Sequence, residues 1–325
     1  MQLTDIDHKV YQKVDYKGSE NLKIPDIYLS CLLRDLENIQ IEKNFIYGRV
    51  SDFLSIIKND VIDVLKSTKG YSYAGNVFLK IDEDLDSPLG LTLDEIKNMP
   101  IDISCGKRSQ RDIMIWNSEN FYKDYSKKID NIIASGIPGW HFQDYETIKN
   151  AFNGEYDIHG GAKELLYPHH EFIAEISKEK DKNVPLYRKR RWIHVGLLNI
   201  NSEKMSNSTG NTISISTILK KCSPNALKIF FLSKNYKKDI NFTSHDLDKA
   251  TEIDKIIGSV FLECENMAHQ QNVNLEQQFL KKFLRFLNDD YDTESSITLI
   301  LEIIGKYHNP KLIKRMVEIL GLRYY

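Results

Sequence analysis

Apolar positions recur along the chain with two periods, and clusters of glycine, proline and polar residues separate them. Leu29, Leu32, Leu33 and Leu36 lie on one face of a helix, with Pro25 near its start, where a missing N–H costs least. Phe53, Ile56, Ile57, Val61, Val64 and Leu65 predict a second amphipathic helix from about Ser51 to Lys69, with Gly70 placed to end it. Tyr71 to Ile81 reads as a hairpin turning near Gly75–Asn76. Thr92 and Glu95 form a capping box for a short helix that Pro100 stops. From 136 to 200 helix and strand alternate. Asp144–Phe152 is a helix closed by Asn153–Gly154, and Tyr156–His159 is a strand ending in two glycines. Pro168 opens a helix to about Lys178, and Trp192–Ile200 is an apolar, β-branched strand. This alternation predicts an α/β fold with a parallel sheet whose ligands sit at strand C-termini.

Beyond Ile200 the period becomes helical. Ser223-Pro224 is an N-cap followed by a first-turn proline, starting a helix that buries Leu227, Phe230 and Phe231. Thr243-Ser-His-Asp246 starts a long helix with Leu247, Ala250, Ile257, Val260 and Phe261 on one side. Three more helices are expected near 275–288, 294–306 and 310–320, which makes the C-terminal part an all-α bundle.

Composition narrows the class. The 325 residues are 41% hydrophobic and 28% charged, as in a globular chain of one or two domains. No apolar run is long enough to cross a membrane, and MQLTDIDHKV lacks a signal-peptide core. Cys31, Cys105, Cys222 and Cys264 are scattered, with no C-x-x-C, so reduced thiols in a cytoplasmic protein are expected. A net charge of −2 argues against a general polyanion binder. Arg188–Arg191 is a local basic run, read either as a solvated edge or as a contact to RNA or nucleotide.

The chemistry concentrates in the stretch 138–211. After the Trp192–Ile200 strand comes Lys204-Met-Ser-Asn-Ser-Thr-Gly-Asn211, a loop with an ammonium, three hydroxyls and a glycine. Such a loop suits a triphosphate, because lysine neutralises charge, hydroxyls donate hydrogen bonds and glycine admits close backbone approach. Taken alone, a polar surface turn is the simpler reading of it. Five of the nine histidines, His141, His159, His169, His170 and His194, fall between 141 and 194.

In order, PGWH (138–141), DIHGG (157–161), YPHHE (167–171), WIHVG (192–196) and KMSNSTGN (204–211), with TDIDHK at 4–9, closely resemble the class I aminoacyl-tRNA synthetases. The match is to the cysteinyl-tRNA synthetases and the cysteine ligases that lack an anticodon domain. The resemblance implies a Rossmann-type nucleotide-binding domain over 1–200, incomplete, with an insertion at about 70–135 and a polar surface loop at 117–131. A KMSKS-like loop and connecting region would follow at 201–245 and a helical bundle at 246–325. It implies ATP with Mg as cofactors, an amino acid as substrate, and a tRNA or a small-molecule amine as acceptor. Lys204, Ser206 and Ser208 would serve catalysis. His159, Gly160, Gly161 and His194, with Lys204, would bind ATP, and Thr4, Trp140 and His169 the amino acid.

The chain also departs from the family pattern. The H-I-G-H motif is not in it, and His194-Val-Gly-Leu197 sits on a later strand. A partner chain supplying that first strand–helix unit is one expectation, and the anticodon-binding tail is likewise not expected. Asn207 stands where the K-M-S-K-S loop has its second lysine. The family's zinc, which recognises the substrate thiolate, takes two cysteines, a histidine and a glutamate. Asp144 and Ile173 occupy two of those positions and only His169 remains, so zinc is not expected and Asp144 is expected to cap its helix. Two further readings stay open: a catalytically degenerate paralogue that binds nucleotide or RNA, and a split subunit.

Overall fold

The computed structural model describes residues 2–7, 23–42, 46–82, 87–98, 106–118, 136–152, 156–180, 191–206, 210–262, 273–307 and 309–324. The chain divides into two compact units, one of residues 1–29 and 44–194, the other of residues 30–43 and 195–325. The division falls inside helix α1 (Lys23–Asn38).

The first unit opens with a short parallel pair, β1 (Gln2–Leu3) beside β2 (Gly48–Arg49), running directly into α2 (Val50–Lys66). Asp5 holds the start of α2, accepting the Ser51 N–H at 3.0 Å and the Ser51 hydroxyl. A carboxylate there satisfies an otherwise orphan donor and complements the helix dipole. Helix α2 buries Val50, Ile57, Val61, Ile62 and Val64, whereas Ile56, expected in that stripe, is 41% exposed. It ends at Lys66, before the expected Lys69, where Ser67 turns out of the helix.

Strands β3 (Gly70–Tyr73), β4 (Asn76–Leu79), β5 (Ile113–Asn117) and β6 (Ile137–Pro138) form an antiparallel sheet in that order, including the predicted hairpin. The Thr92–Glu95 capping box opens α3 (Leu93–Lys97) as expected. Pro100 and most of the polar stretch 117–131 lie outside the described residues. Helices α4 (Trp140–Phe152) and α5 (Glu171–Lys180) and the paired strands β7 (Ile158–Ala162) and β8 (Arg191–Val195) complete the unit. Trp116, Ile113, Ile115, Phe142, Phe172 and Ile176 are fully buried at its centre.

A charged layer lies within this apolar setting. Glu146 of α4, with no exposed surface, faces Lys180 Nζ at 3.1 Å and Lys149 Nζ at 3.7 Å. Asp60 of α2 takes the same two ammoniums at 2.6 and 3.4 Å. Burial outweighs the lysines at Glu146 and pushes its carboxyl up to about 7, helped by the hydrogen bond it shares with Asp60. Glu175 is also pushed to about 7 by burial, against the opposing pull of the Arg111 guanidinium it contacts.

In the second unit β9 (Leu198–Ile200) pairs antiparallel with β10 (Glu203–Lys204) and parallel with β11 (Ile240–Phe242). The connecting Asn201 and Ser202 both have positive φ, +51° and +66°, the geometry of a tight hairpin turn. The single strand expected over Trp192–Ile200 is two strands. At the break the Gly196 N–H donates to the Tyr236 carbonyl at 2.8 Å and the Leu197 N–H to Asp239 Oδ1 at 2.7 Å. A Cβ on Gly196 would lie 2.1 Å from the Lys238 carbonyl oxygen, so only glycine permits this approach.

Helices α6 (Ile215–Ile218), α7 (Pro224–Leu232), α8 (Ser244–Leu262), α9 (Val273–Asn288), α10 (Thr293–Lys306) and α11 (Pro310–Ile319) make up most of the rest. Ser223, Asp292 and Asn309 cap α7, α10 and α11. Phe230, Ile257, Phe283, Ile300, Ile313 and Met316 form the centre of the core. Phe231, expected to be buried, is 43% exposed, because it lies about 100° around the helix from Phe230. The segment after α11 is bound down in detail. Asn225 donates to the Arg323 carbonyl at 2.7 Å and accepts the Arg323 N–H at 3.1 Å. Lys228 donates to the Gly321 carbonyl and the Tyr324 hydroxyl to Asp254, each at 2.7 Å.

Candidate active site

In the first unit, helix α4 and the turn before α5 bring the histidines together. Gln143 N–H donates to the Gly139 carbonyl, so the helix already runs from Trp140 and Asp144 lies one turn inside it. Asp144 therefore does not cap the helix as expected. It accepts from His169 Nε2 at 2.9 Å and from the side-chain amide of Gln2. The other ring nitrogen of His169, Nδ1, faces His141 Nδ1 at 2.8 Å. His141 and Asp144, three residues apart on one helix face, thus grip His169 from both sides. Trp140 leans over His169 with ring centres 5.4 Å apart and is 53% exposed, while His169 is buried. Thr4 is exposed on the segment following β1.

A second histidine group follows. His170 Nδ1 meets His194 Nε2 at 2.8 Å. His159 stacks on Trp192 at 4.2 Å and 21°, and also meets His170 at 5.1 Å. Burial first, then the neighbouring histidines, depress the His170 imidazole to about 3, and burial lowers His194. Both rings are therefore neutral near pH 7 and act as polar, stacking surfaces rather than cations. Gly161 sits against the His170 ring, where an added Cβ would meet its Cε1 at 2.4 Å. Gly160 is exposed, with only the Ile193 carbonyl near.

Lys204 and Ser206 belong to the second unit. The loop starts where the Met205 N–H donates to the Leu198 carbonyl at 2.9 Å. Asn211 closes it from the far side, accepting the Ser206 N–H at 3.0 Å and donating to the Lys204 carbonyl at 3.1 Å. Lys204 is exposed, and Gly210 turns with φ +68°. Ser208 and Asn207 lie outside the described residues, as do Arg188, Cys105 and Cys264. A cavity of about 910 Å³ in the same unit is lined by Ile39, Leu198, Met205, Ile213, Phe231 and Phe242 among others; this apolar lining does not suit a phosphate.

Sequence reasoning placed Trp140 and His169 in one pocket, and the structure brings them together. It missed His141, His170 and Asp144 as members of these clusters. The signal for the first was present, since PGWH places a histidine three residues before Asp144 on a helix. Among the described residues no group of three His, Cys, Asp or Glu side chains is arranged to hold a metal ion, and no helix is long and apolar enough to cross a membrane.

Residues 1–252 match the family described as tRNA synthetases class I (C) catalytic domain. The chain is 28% identical over 310 residues to a cysteine--tRNA ligase of Thermoplasma volcanium, an alignment covering 94% of the chain and 67% of that protein. It is 27% identical over 326 residues to the cysteine--tRNA ligase of Thermococcus onnurineus, covering 93% of the chain and 66% of that protein. It therefore spans about two thirds of the length of these curated relatives. Among solved structures, Mycobacterium tuberculosis methionyl-tRNA synthetase in complex with methionyl-adenylate has the same fold. The TM-score is 0.64 at 12% identity, over 92% of this chain and 72% of that one.

Proposed function

The chain belongs to the class I tRNA synthetase (C) catalytic-domain family, and from that premise we propose that it activates an amino acid with ATP and passes it to an acceptor. The amino-acid carboxylate attacks the α-phosphate, an aminoacyl-adenylate forms and pyrophosphate leaves. A tRNA or a small amine then takes the aminoacyl group and releases AMP. The observation that carries this reading is that the family match spans 1–252, which includes strand β7 with His159–Gly161 and the Lys204 loop.

Charge builds on the phosphate oxygens in the transition state, so the protein's work is positioning and electrostatic stabilisation. Lys204 meets the departing phosphates. The Ser206 backbone, fixed by Asn211, sets the path of the loop, and Ser208 contributes a hydroxyl. His159, Gly160, Gly161 and His194 form the nucleotide side, with the glycines admitting close approach of the backbone. Magnesium, carried on ATP, supplies neutralisation of the phosphate charge. Trp140, His169 and Thr4 form the amino-acid side.

ATP–pyrophosphate exchange tests the proposal. Amino-acid-dependent exchange, lowered about 10²–10³-fold in Lys204→Ala, is the expected result. A second reading is favoured by Asn207, which removes one cation from the loop: the chain would bind nucleotide without forming adenylate. Tight ATP binding with no exchange for any amino acid would favour that reading and overturn the first.

A further inference from the structure

The cavity of the second unit encloses about 910 Å³. That falls within the few hundred to about 1,000 Å³ typical of small-molecule sites. Its wall is apolar by period. Leu198 and Ile200 share one face of β9, and Leu227 and Phe231, one turn apart, share one face of α7. Phe231 and Ile41 both line the cavity and are 43% and 40% exposed, so large apolar side chains left out of the core form part of its wall.

Charge decides which guest fits. Four charged residues line the cavity, Lys228, Arg323, Glu42 and Glu318, two of each sign. The Arg323 guanidinium donates to Glu42 at 2.9 Å, and the Lys228 ammonium to the Gly321 carbonyl at 2.7 Å. The lining therefore carries no surplus charge to attract an ion. An ion placed against its apolar wall would lose hydration without replacement. Apolar cavities stay dry and take up neutral, hydrocarbon-like guests.

The wall is continuous with the Lys204 loop. Met205, between Lys204 and Ser206, lines the cavity, and its N–H donates to the Leu198 carbonyl at 2.9 Å. At the other end of the loop, Asn211 is followed closely by Ile213, which is also in the wall. Both ends of the loop thus stand on the cavity. We propose that this cavity is a regulatory site for an uncharged, largely apolar small molecule, and that filling it fixes the backbone at Met205 and Ser206 and with it the position of Lys204. A guest touching Met205 and Ile213 together binds best when both are held in place, so occupancy selects that arrangement. The regulatory role rests on the amino-acid-activating reading of the loop; the binding site does not.

N-phenylnaphthylamine, neutral and fluorescent in apolar surroundings, is the probe. Anilinonaphthalene sulfonate, nearly the same body with an anionic group, is its control. Titrated into the full chain, the neutral probe is expected to saturate at one per chain. The sulfonate should bind about tenfold more weakly, since its charge would have to be buried. Ile200→Trp fills the space, and Phe231→Gln makes the wall polar at a half-exposed position. Each should weaken the neutral probe, with the urea midpoint showing which variants are folded. No saturable binding, equal affinity for both dyes, or unchanged binding in the folded variants overturns the proposal. A probe expelled as the chain self-associates, seen by sedimentation, assigns the surface to a second copy and overturns it too.

Hydrogen exchange reads the coupling without turnover. The Met205 and Ser206 amides, bonded to the Leu198 carbonyl and Asn211 Oδ1, should exchange about threefold more slowly with the probe bound. Unchanged exchange overturns the coupling. Pyrophosphate exchange is scored separately, and turnover that saturating probe leaves unchanged overturns the regulatory role. Probe binding and slowed amide exchange with no turnover for any amino acid sink the adenylate reading and leave the site standing.

Discussion

Replacing Glu146 by glutamine should change how stability depends on pH more than it changes stability itself. In the folded chain burial lifts this carboxyl from 4.5 to about 7. Below 4.5 both folded and unfolded chains hold the proton. Between 4.5 and 7 the unfolded chain releases it while the folded chain keeps it. The folded state then binds more protons, so stability falls as pH rises and levels off above the folded value. At about 1.4 kcal/mol per pH unit the span is worth roughly 3 kcal/mol. Lys180 at 3.1 Å limits the loss by supporting the ionised form. Glutamine cannot ionise and still donates towards Asp60. Urea denaturation of both proteins at steps across this range gives the test. The variant should gain about 3 kcal/mol on the native protein from the acid to the neutral end. Glu175, also raised to about 7, is common to both proteins and cancels in the difference. A difference that stays constant with pH, or grows towards acid, would refute the assignment of a buried, protonated Glu146.

Lys204→Ala should lower pyrophosphate exchange by about 10²–10³, the usual loss for one transition-state donor, with folding unaffected because the side chain is exposed. Asn207→Lys, which restores the family's second loop cation, should raise the exchange rate; no change would remove the charge argument. Gly161→Ala should drive a methyl into the His170 ring and destabilise the fold by about 1–3 kcal/mol, read as a lower urea midpoint with unchanged slope. Phe283→Ala, emptying a fully buried site in the second unit, should cost about 3–5 kcal/mol in the same assay.

Period and capping made much of the fold legible. Thr92–Glu95, Ser223-Pro224 and the three C-terminal helices form where local chemistry directs, because each signal is satisfied within a turn or two of chain. Failures came where distant residues decide. Ile56 and Phe231 fit an apolar stripe by spacing, yet their exposure depends on what packs opposite. The Trp192–Ile200 run is apolar throughout, so only the close approach of Lys238 reveals the break at Gly196. The site divides in the same way. Trp140 and His169 were recognisable from motif order. The partners of Asp144 were not, since Gln2 lies 142 residues away and no period connects them.

The clasp between Asn225 and Arg323 joins residues 98 positions apart. On the ribosome, helix α7 emerges with Asn225 and Lys228 lacking the carbonyls they will hold. At synthesis rates of about 5–20 residues per second, those partners follow roughly 5–20 s later. Helices α8 to α11 are made in the meantime, yet the bundle lacks the segment that clasps α7. Folding of the second unit is therefore timed by translation, and a nascent chain halted before Gly321 should remain open to chaperones and proteases, however complete its helices.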